Sequence, residues 1–247
     1  MWRMPHNGLP VVTCTSGTGN RLLAALRPAD FDQLASELQT VALDQDAVLA
    51  RAGDQVEYVF FPHNGAISLM IEMANGQTVA TATIGHEGAV NFLSAIGPSP
   101  SAMTAIVHLA GAASRIPAFR FRAAFNRSPA IRHALQAHIS AMLTQFQLGA
   151  ACNALHPVEA RLARWLLHLH DRIGHDVLPL TQEALSHILG VRRPTVTLLM
   201  RDLRASGAIR SDRRGRIEIN RSRLTAVSCE CHHTMHPEAC EIGRAHV

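Results

Sequence analysis

The sequence predicts an α+β fold with three parts in chain order: a double-sheet β-roll, one long helix, and a C-terminal unit of short helices and a hairpin. Three observations predict it. Short apolar segments alternate with turn signals over residues 41–117, Ser128-Pro129 opens a long helical pattern, and two amphipathic segments flank Gly190. At 247 residues, 47% hydrophobic and 17% charged, the chain is long enough for two domains.

Composition excludes several classes of protein. The longest apolar runs are shorter than the roughly 18 residues expected of a membrane span, and the N-terminus lacks a basic region followed by an apolar core. A cytoplasmic protein is therefore expected. The five cysteines do not form the regular framework of a secreted domain, so reduced thiols are predicted for Cys14, Cys152, Cys229, Cys231 and Cys240.

The chain begins with a segment rich in glycine and polar residues. Residues 1–20 are expected to be a poorly ordered leader. Leucines at helical spacing between Arg21 and Leu38, interrupted by Pro28, then predict one or two short helices.

Regular turn signals mark the segment from Val41 to about Pro117. They are Ala52-Gly53-Asp54, His63-Asn64-Gly65, Asn75-Gly76 and Gly85-His86-Glu87-Gly88. Short strands at such spacing favour an antiparallel barrel or a double-sheet roll. We assign residues 21–127 to this sensor-like domain.

A helix is predicted over residues 128–155, with Ser128 as its cap and Pro129 in its first turn. Apolar positions along it alternate in steps of four and three, which is typical of a two-helix coiled coil. The predicted seam of this dimerisation helix is Ile131, Leu135, His138, Met142 and Phe146. The alternative is a helix that packs on its own roll.

His156-Pro157 breaks this helix and starts another. We expect Leu162, Trp165, Leu166 and Leu169 on its inner side, and Glu159, Arg161, Arg164 and Arg172 on its outer side. A connector follows, with a short strand at 176–180.

A winged helix-turn-helix is predicted within residues 156–224. Thr181 caps its first helix and Gly190 ends that helix, while Pro194 in a first turn opens the second helix, which Gly207 stops. Alternating apolar residues around Arg213-Arg214-Gly215-Arg216 predict a hairpin with a basic tip, which forms the wing.

The charge of this segment points to DNA. Residues 181–223 contain ten arginines and four acidic residues, a net charge of +6, whereas the whole chain carries +4. The residues predicted to contact bases are Arg192, Arg193 and Thr197. The residues predicted to contact phosphates are Thr181, Arg201, Arg213, Arg214 and Arg216.

The segment TQEALSHILGVRRPTVTLLMRDLRASGAI, followed by RRGRIEI, resembles the C-terminal winged helix of the Crp/Fnr family of bacterial transcription regulators. The similarity covers about residues 21–231, so it also implies that the roll is of the cyclic-nucleotide-binding type. It implies a homodimer on palindromic double-stranded DNA, with RNA polymerase as a further partner. The alternative is a ligand-binding module whose winged helix contacts proteins. No constellation of catalytic residues is present, so an enzyme is not expected.

The effector pocket departs from that of the cyclic-nucleotide binders in this family. They carry Arg-Ser/Thr-Ala for the cyclic phosphate, and Met103-Thr104-Ala105 stands in that place. Without the guanidinium the buried phosphate has no bidentate partner, so cyclic AMP is not expected. The residues placed nearest this pocket are Gly85, Glu87, Gly88, Met103 and Thr104.

The last part of the chain, residues 225–247, is interpreted as a tail. Its cysteines and histidines lie at short spacings, as metal ligands do, and Cys229 and Cys231 are the strongest candidates. The sequence nevertheless predicts neither a metal site nor a cofactor. Residues 242–247 resemble the translation of a sequencing adapter, so the end of the tail is not expected to be native.

Overall fold

A computed structural model of the chain describes residues 19–97, 99–173, 176–212 and 215–235. The helices are α1 (Arg21–Ala24), α2 (Pro28–Ala35), α3 (Phe92–Ile96), α4 (Ala118–Arg127), α5 (Pro129–Leu155), α6 (Val158–Ile173), α7 (Gln182–Leu189), α8 (Arg193–Ala205), α9 (Arg221–Val227) and α10 (Cys231–Thr234). The strands are β1 (Gln39–Leu43), β2 (Val48–Ala50), β3 (Tyr58–Pro62), β4 (Ala66–Glu72), β5 (Thr78–Ile84), β6 (Thr104–Leu109), β7 (Gly111–Pro117), β8 (Val177–Pro179), β9 (Ile209–Ser211) and β10 (Arg216–Ile219). The predicted α+β fold is confirmed. None of the described helices combines the length and the apolar character needed to cross a membrane.

Two sheets form the predicted roll, with strand orders β1-β7-β3 and β2-β6-β4-β5. β7 pairs antiparallel with both β1 and β3, which places Val41 opposite Ala113 and Val59 opposite Ile116. The fully buried side chains of these sheets are mainly aliphatic and aromatic: Val41, Leu43, Val59, Phe61, Ile67, Ile84, Val107, Leu109 and Ile116. Burial of these side chains is the main stabilising term of the roll.

Two helices of this region, α3 and α4, were not predicted. In α4 the buried residues are Ala118, Phe121 and Ala124, three residues apart, and the Phe121 ring lies 6.0 Å from that of Phe61. The helical spacing was therefore present in the sequence, but it follows β7 without a break. The turn signals of the preceding segment favoured strands, so no helix was predicted there.

Asn20 corrects the extent of the predicted leader. Its side chain is fully buried, caps α1 by accepting from the N–H of Leu23, and donates to the carbonyl oxygens of Pro62 (2.9 Å) and Gly88 (2.8 Å). Asn20 therefore belongs to the folded roll. The rest of the predicted leader, apart from Gly19, lies outside the described residues.

The described chain divides into two compact units, residues 19–69 with 83–142 and residues 70–82 with 143–235. In the second unit β8, β10 and β9 form a sheet in which Ile217 lies opposite both Leu178 and Ser211. Helix α6 packs on α9, and α7 packs on α8. The short strand expected at 176–180 is confirmed as β8.

The predicted seam of α5 is wrong at four of its five positions. Ile131, Leu135, His138 and Met142 are only 2–5% exposed in the single chain. His138 shows why: its Nε2 atom accepts a hydrogen bond from the N–H of Ala89 at 3.2 Å, and its ring lies 5.2 Å from that of Phe92. His138 therefore packs on the roll of its own chain, and the burial of the other three residues in the single chain agrees with that alternative, which the sequence left open. Phe146 is partly exposed.

Candidate DNA-binding interface

Helix α7 is fixed at both ends by the predicted residues. Thr181 Oγ1 accepts a hydrogen bond from the N–H of Ala184 at 3.1 Å, which satisfies one unpaired donor of the first turn. Gly190 follows the last residue with φ of +65°, a left-handed conformation that glycine adopts without strain. The buried face of α7 holds Leu185, Ile188 and Leu189.

Helix α8 follows after a short turn. Arg192 is its N-cap in an extended conformation, and Pro194 lies in the first turn, where its missing N–H leaves no hydrogen bond unmade. The inner face of α8 is almost fully buried and consists of Val196, Leu199, Met200 and Leu203. These side chains fix which face of α8 is directed to solvent.

The solvent face of α8 brings together the residues predicted to contact bases. Arg192, Arg193 and Thr197 are all exposed. Neither Arg192 nor Arg193 makes a side-chain hydrogen bond or ion pair with a residue in the described ranges. Their guanidinium groups therefore have donors to offer to guanine N7 and O6. Leu198, next to Thr197, is 52% exposed and adds an apolar contact surface.

Gln182, in α7, contacts the solvent face of α8, and this role was not predicted from the sequence. Its Oε1 atom accepts a hydrogen bond of 2.8 Å from the hydroxyl of Thr197, which also approaches the carbonyl oxygen of Arg193 at 3.2 Å. Gln182 lies in the first turn of α7, fifteen residues earlier, so no helical spacing links it to Thr197. Only the angle between the two helices brings them together.

Three of the residues predicted to contact phosphates are described: Thr181 at the start of α7, Arg201 in α8 and Arg216 in β10. Thr181 uses its hydroxyl oxygen in the cap, and the hydroxyl still has its own hydrogen to donate. Arg201 pairs with Asp202 at 3.1 Å and Arg216 pairs with Asp212 at 2.7 Å, and both arginines are more than half exposed. Exposed pairs of this kind contribute about 0–1 kcal/mol, so a DNA phosphate can replace the carboxylate.

The wing is the hairpin of β9 and β10. Asp212 organises its turn, because its carboxylate accepts from both the backbone N–H and the Nε of Arg216. Gly215 has φ of +79°, which suits a tight turn. The predicted phosphate residues Arg213 and Arg214 lie outside the described residues.

Helix α6 packs against α7 and α9. Two of its arginines were predicted on the wrong side of the helix. Arg164 and Arg172, predicted to lie outward, are 3% and 5% exposed. Arg172 donates to the carbonyl oxygen of His168 at 2.7 Å, and Arg164 lies over the Trp165 ring. Burial of arginine is tolerated where the guanidinium has such partners.

An ion pair between Asp171 and Arg221 links helix α6 to helix α9. Arg221 also contacts Nδ1 of His170 at 3.1 Å, and His170 in turn contacts Asp176 at 2.8 Å. Asp171 is only 10% exposed, so the pair is better shielded from solvent than the arginine pairs of α8 and the wing. Arg221 carries a positive charge but acts in this network.

The residues predicted for the effector pocket are tied to different elements. Glu87 accepts a hydrogen bond from the N–H of Gly85 at 3.0 Å. A Cβ atom on Gly88 would lie 2.3 Å from Cε1 of His138, so that ring fills the space beside the loop. Thr104, at the start of β6, accepts from the N–H of Ala52 at 3.1 Å, and Met103 accepts through its carbonyl from Ser101 at 2.7 Å.

Comparison with known families gives two matches, one to each half of the fold. The model of the cyclic nucleotide-binding domain matches residues 40–128, which contain most of the roll. The model of the Crp-like helix-turn-helix domain matches residues 160–227, which contain α7, α8 and the wing. No curated protein matches the chain.

Several solved structures have a similar fold at low sequence identity. A structure from Eubacterium rectale, assigned to the Crp/Fnr family of transcriptional regulators, has a TM-score of 0.67 and 17% identity, covering 85% of this chain and 99% of its own. FixK2 from Bradyrhizobium japonicum has a TM-score of 0.65 and 15% identity, covering 78% and 98%. The c-di-GMP-responsive regulator CLP from Xanthomonas campestris has a TM-score of 0.64 and 16% identity, covering 78% and 99%. At these identities the likeness shows the fold.

Proposed function

Because this chain belongs to the Crp/Fnr family of transcription regulators, we propose that it acts as a homodimer that binds a palindromic DNA site. Members of this family are DNA-binding regulators rather than enzymes. The helix-turn-helix of the chain is its DNA-binding element. Such a function requires access to the chromosome, so we place the protein in the cytoplasm, where RNA polymerase is available as a partner.

One observation carries the proposal: the exposed arginines of α8. Arg192 and Arg193 stand at the N-terminal end of the helix with side chains that no described residue binds, and Thr197 follows one turn later on the same face. In helix-turn-helix proteins the N-terminal residues of the second helix contact base edges in the major groove. We assign base contacts to these three residues.

The phosphate contacts surround the base contacts. Arg201 lies further along α8, Arg216 lies on the wing, and Thr181 caps α7. The helix N-terminus at Thr181 also favours a phosphate, since its backbone N–H groups and helix dipole attract an anion. Arg213 and Arg214 keep the phosphate role predicted for them from the sequence.

Dimerisation is assigned to a face of α5 turned by one residue from the predicted seam. Ile139, Leu143, Phe146 and Ala150 also follow steps of four and three, and all four are exposed or partly exposed. Leu143 is 55% exposed, which is unusual for a leucine in the middle of a long helix. A second copy of α5 covers this face in the proposed dimer.

A dimer explains a palindromic site. Two-fold symmetry repeats every contact of α8 in a second half-site, and helix-turn-helix dimers bind half-sites about 34 Å apart, one turn of DNA. Each subunit contributes the same base contacts in opposite orientation. The operator is therefore expected to be an inverted repeat.

The effector of the roll is not a cyclic nucleotide in this proposal. Met103-Thr104-Ala105 provides no guanidinium for a cyclic phosphate, and an unpaired phosphate in a pocket is strongly unfavourable. The ring of His138 also occupies the space beside Gly88. In this proposal, DNA binding is controlled either by a ligand of another chemical class or by dimerisation alone.

Substitution in α5 tests the homodimer. Leu143→Arg places a charge in the proposed seam, whereas Thr144→Arg places the same charge on an exposed position about 100° around the helix. In sedimentation velocity we expect the Leu143→Arg protein to be monomeric and the Thr144→Arg protein to remain dimeric.

DNA binding by the same two variants links the dimer to the operator. The Leu143→Arg protein is expected to lose most of its affinity for an inverted repeat while it keeps weak binding to a single half-site. A wild-type protein that sediments as a monomer, or a Leu143→Arg protein that stays dimeric, would contradict the assigned seam.

A further inference from the structure

The second compact unit contains a cluster of four potential metal ligands that no helical or loop motif accounts for. The ligand atoms of Cys152, His156, Cys229 and Cys231 all lie within 4.8 Å of one another. Cys152 lies near the end of α5, His156 lies between α5 and α6, Cys229 lies between α9 and α10, and Cys231 is the first residue of α10. The three cysteines are buried and form no disulfide.

The distances within the cluster match a tetrahedral ion. Zn²⁺ binds sulfur at about 2.3 Å and histidine nitrogen at about 2.0–2.1 Å, so the edges of a tetrahedron are about 3.8 Å between two sulfurs and about 3.6 Å between sulfur and nitrogen. Here the Sγ atoms of Cys152 and Cys229 are 3.6 Å apart. Sγ of Cys231 and Nδ1 of His156 are also 3.6 Å apart. Two opposite edges therefore already have the right length.

The surroundings of the cluster also suit a metal ion. His156 directs Nδ1 into the cluster, and its Nε2 lies 3.0 Å from the carboxylate of Glu230. A carboxylate on the far nitrogen is the usual outer partner of a metal-bound histidine, since it fixes the tautomer and orients the ring. The single-residue spacing of Cys229-Glu230-Cys231 thus supplies two ligands and this partner.

Buried positive charge balances such a site. Three thiolates and one neutral histidine around a divalent ion leave a net charge of −1. The guanidinium of Arg164 is 3% exposed and approaches the sulfur of Met235 at 3.4 Å. Met235 packs in the same apolar cluster as the three cysteines. Arg164 therefore offsets the charge of the site inside the protein.

We propose that these four side chains bind one Zn²⁺ ion in a tetrahedral Cys3His site. Each thiol that binds the ion releases its proton to solvent, and His156 binds as the neutral imidazole. All four positions of the tetrahedron are filled by the protein, so the site is structural and has no open position for catalysis. No metal was expected from the sequence, in which only Cys229 and Cys231 stood out as candidate ligands.

The dimensions and the fold argue against other occupants. Ligand atoms within 4.8 Å of one another enclose a single ion, whereas a cluster of several iron atoms holds its cysteines further apart. A disulfide between Cys152 and Cys229 would leave Cys231 and His156 without a role. Three thiols in contact with one histidine favour a soft, tetrahedral ion.

The ion joins segments that are far apart in the sequence. Cys152 and Cys229 are 77 residues apart, and helices α6 to α9 lie between them. Metal binding therefore links the segment that follows α9 to the start of α6. At the other end of α6, Asp171 forms the ion pair with Arg221 of α9. We expect the metal to stabilise the DNA-binding unit rather than to contact DNA.

Metal analysis of the purified full-length protein tests the site. Mass spectrometry of the elements is expected to find about one zinc per chain after dialysis, and Co²⁺ in its place is expected to give the charge-transfer absorption of thiolate ligands. Cys229→Ser and Cys231→Ser are each expected to lose the bound zinc. The control His133→Ala, an exposed histidine of α5, is expected to retain it.

A milder substitution guards against variants that fail to fold. Glu230→Gln keeps all four ligands and removes the charge on the outer partner of His156, so zinc affinity is expected to fall by about tenfold or more. Glu159→Gln, at an exposed position in the first turn of α6, is the matched control. Chelation of the wild-type zinc is expected to lower the thermal unfolding midpoint by about 5 °C or more.

Two results would overturn the proposal. One is reduced wild-type protein that takes up no zinc or cobalt when the ion is supplied in excess. The other is zinc that is retained at full stoichiometry, with unchanged affinity, in folded Cys229→Ser and Cys231→Ser proteins. In either case the cluster is a group of buried thiols and nothing more.

Discussion

The hydroxyl of Thr197 donates a hydrogen bond of 2.8 Å to Oε1 of Gln182, which connects the solvent face of α8 to the first turn of α7. Thr197 has one donor hydrogen, and this bond directs it away from solvent. The methyl group is thereby left as the part of the side chain best placed to meet a thymine methyl in the major groove.

Gln182→Ala therefore tests how Thr197 is oriented. Without Gln182 the hydroxyl keeps only its longer contact of 3.2 Å with the carbonyl oxygen of Arg193 and is freer to bond to bases, so we expect the preference at one base pair of each half-site to relax. The free energy of unfolding should change by less than about 0.5 kcal/mol, because the bond lies at the surface. Competition between operator variants measures the preference, and Glu183→Ala is the neighbouring control. If the Gln182→Ala protein shows the wild-type preference among base pairs, Gln182 does not orient Thr197.

Arg193→Ala is expected to weaken binding to the operator by about 1–3 kcal/mol and to relax the requirement for guanine at one position. The reason is the loss of a bidentate contact from a side chain that no described residue binds. Titration of operator and random duplexes measures both effects, and Arg120→Ala provides a remote exposed arginine as the control. Equal losses on both duplexes would contradict a base contact.

Arg216→Ala is expected to weaken binding to all sequences alike. Each phosphate contact contributes about 0.9 to the slope of log K against log salt, so the slope should fall by about that amount. Arg214→Ala carries the same expectation from the sequence. Titrations at several salt concentrations test it, and a wild-type slope would show that Arg216 stays paired with Asp212.

The stability of the roll is expected to depend on pH through His138. Burial lowers the pKa of this histidine, and the charge of Glu87 acts in the opposite direction. Below about pH 6.5 the unfolded chain takes up a proton that the folded chain does not, so stability falls as pH decreases, by up to about 1.4 kcal/mol per pH unit.

Denaturant titrations measure this dependence. They are made between about pH 5 and about pH 8, a range that brackets the ordinary pKa of histidine. His138→Gln removes the proton site and keeps an acceptor for the Ala89 N–H, so it should make the acid limb of the profile less steep. The partly buried His63 and the buried His168, whose pKa values are also lowered by burial, still contribute to this limb. His133→Gln, an exposed position on the same helix, should leave the limb unchanged. An acid limb of unchanged slope in His138→Gln would show that His138 does not contribute to it.

The winged helix was predictable because its signals are local. Thr181, Gly190, Pro194 and Gly207 each fix one helix end through the conformation or hydrogen bonding of a single residue. The apolar faces then follow from helical spacing. The link between Gln182 and Thr197, which depends on the angle between two helices, could not be predicted in this way, and neither could the burial of Arg164 and Arg172 in α6.

The seam of α5 was not predictable in the same way. A heptad pattern shows that one face of a helix is apolar, but it does not show whether that face meets another chain or the same chain. His138 and Met142 face the roll, whereas Leu143, the next residue, is 55% exposed. A rotation of one residue separates the two interpretations.

Long sequence separation hid the cysteine cluster. Spacing rules recognise ligands that lie a few residues apart, such as Cys229 and Cys231. Cys152 and His156 lie more than seventy residues earlier, on the other side of the DNA-binding unit. Only the packing of the segment after α9 against the end of α5 brings the two halves together.

Selection from a randomised duplex pool at two salt concentrations tests the central claim most directly. We expect purified protein to select an inverted repeat whose half-sites are about one helical turn apart, with affinity that falls steeply as salt increases. Selection of no sequence, with binding that hardly depends on salt, even when cell extract supplies an effector, would contradict the account and favour a winged helix that contacts proteins.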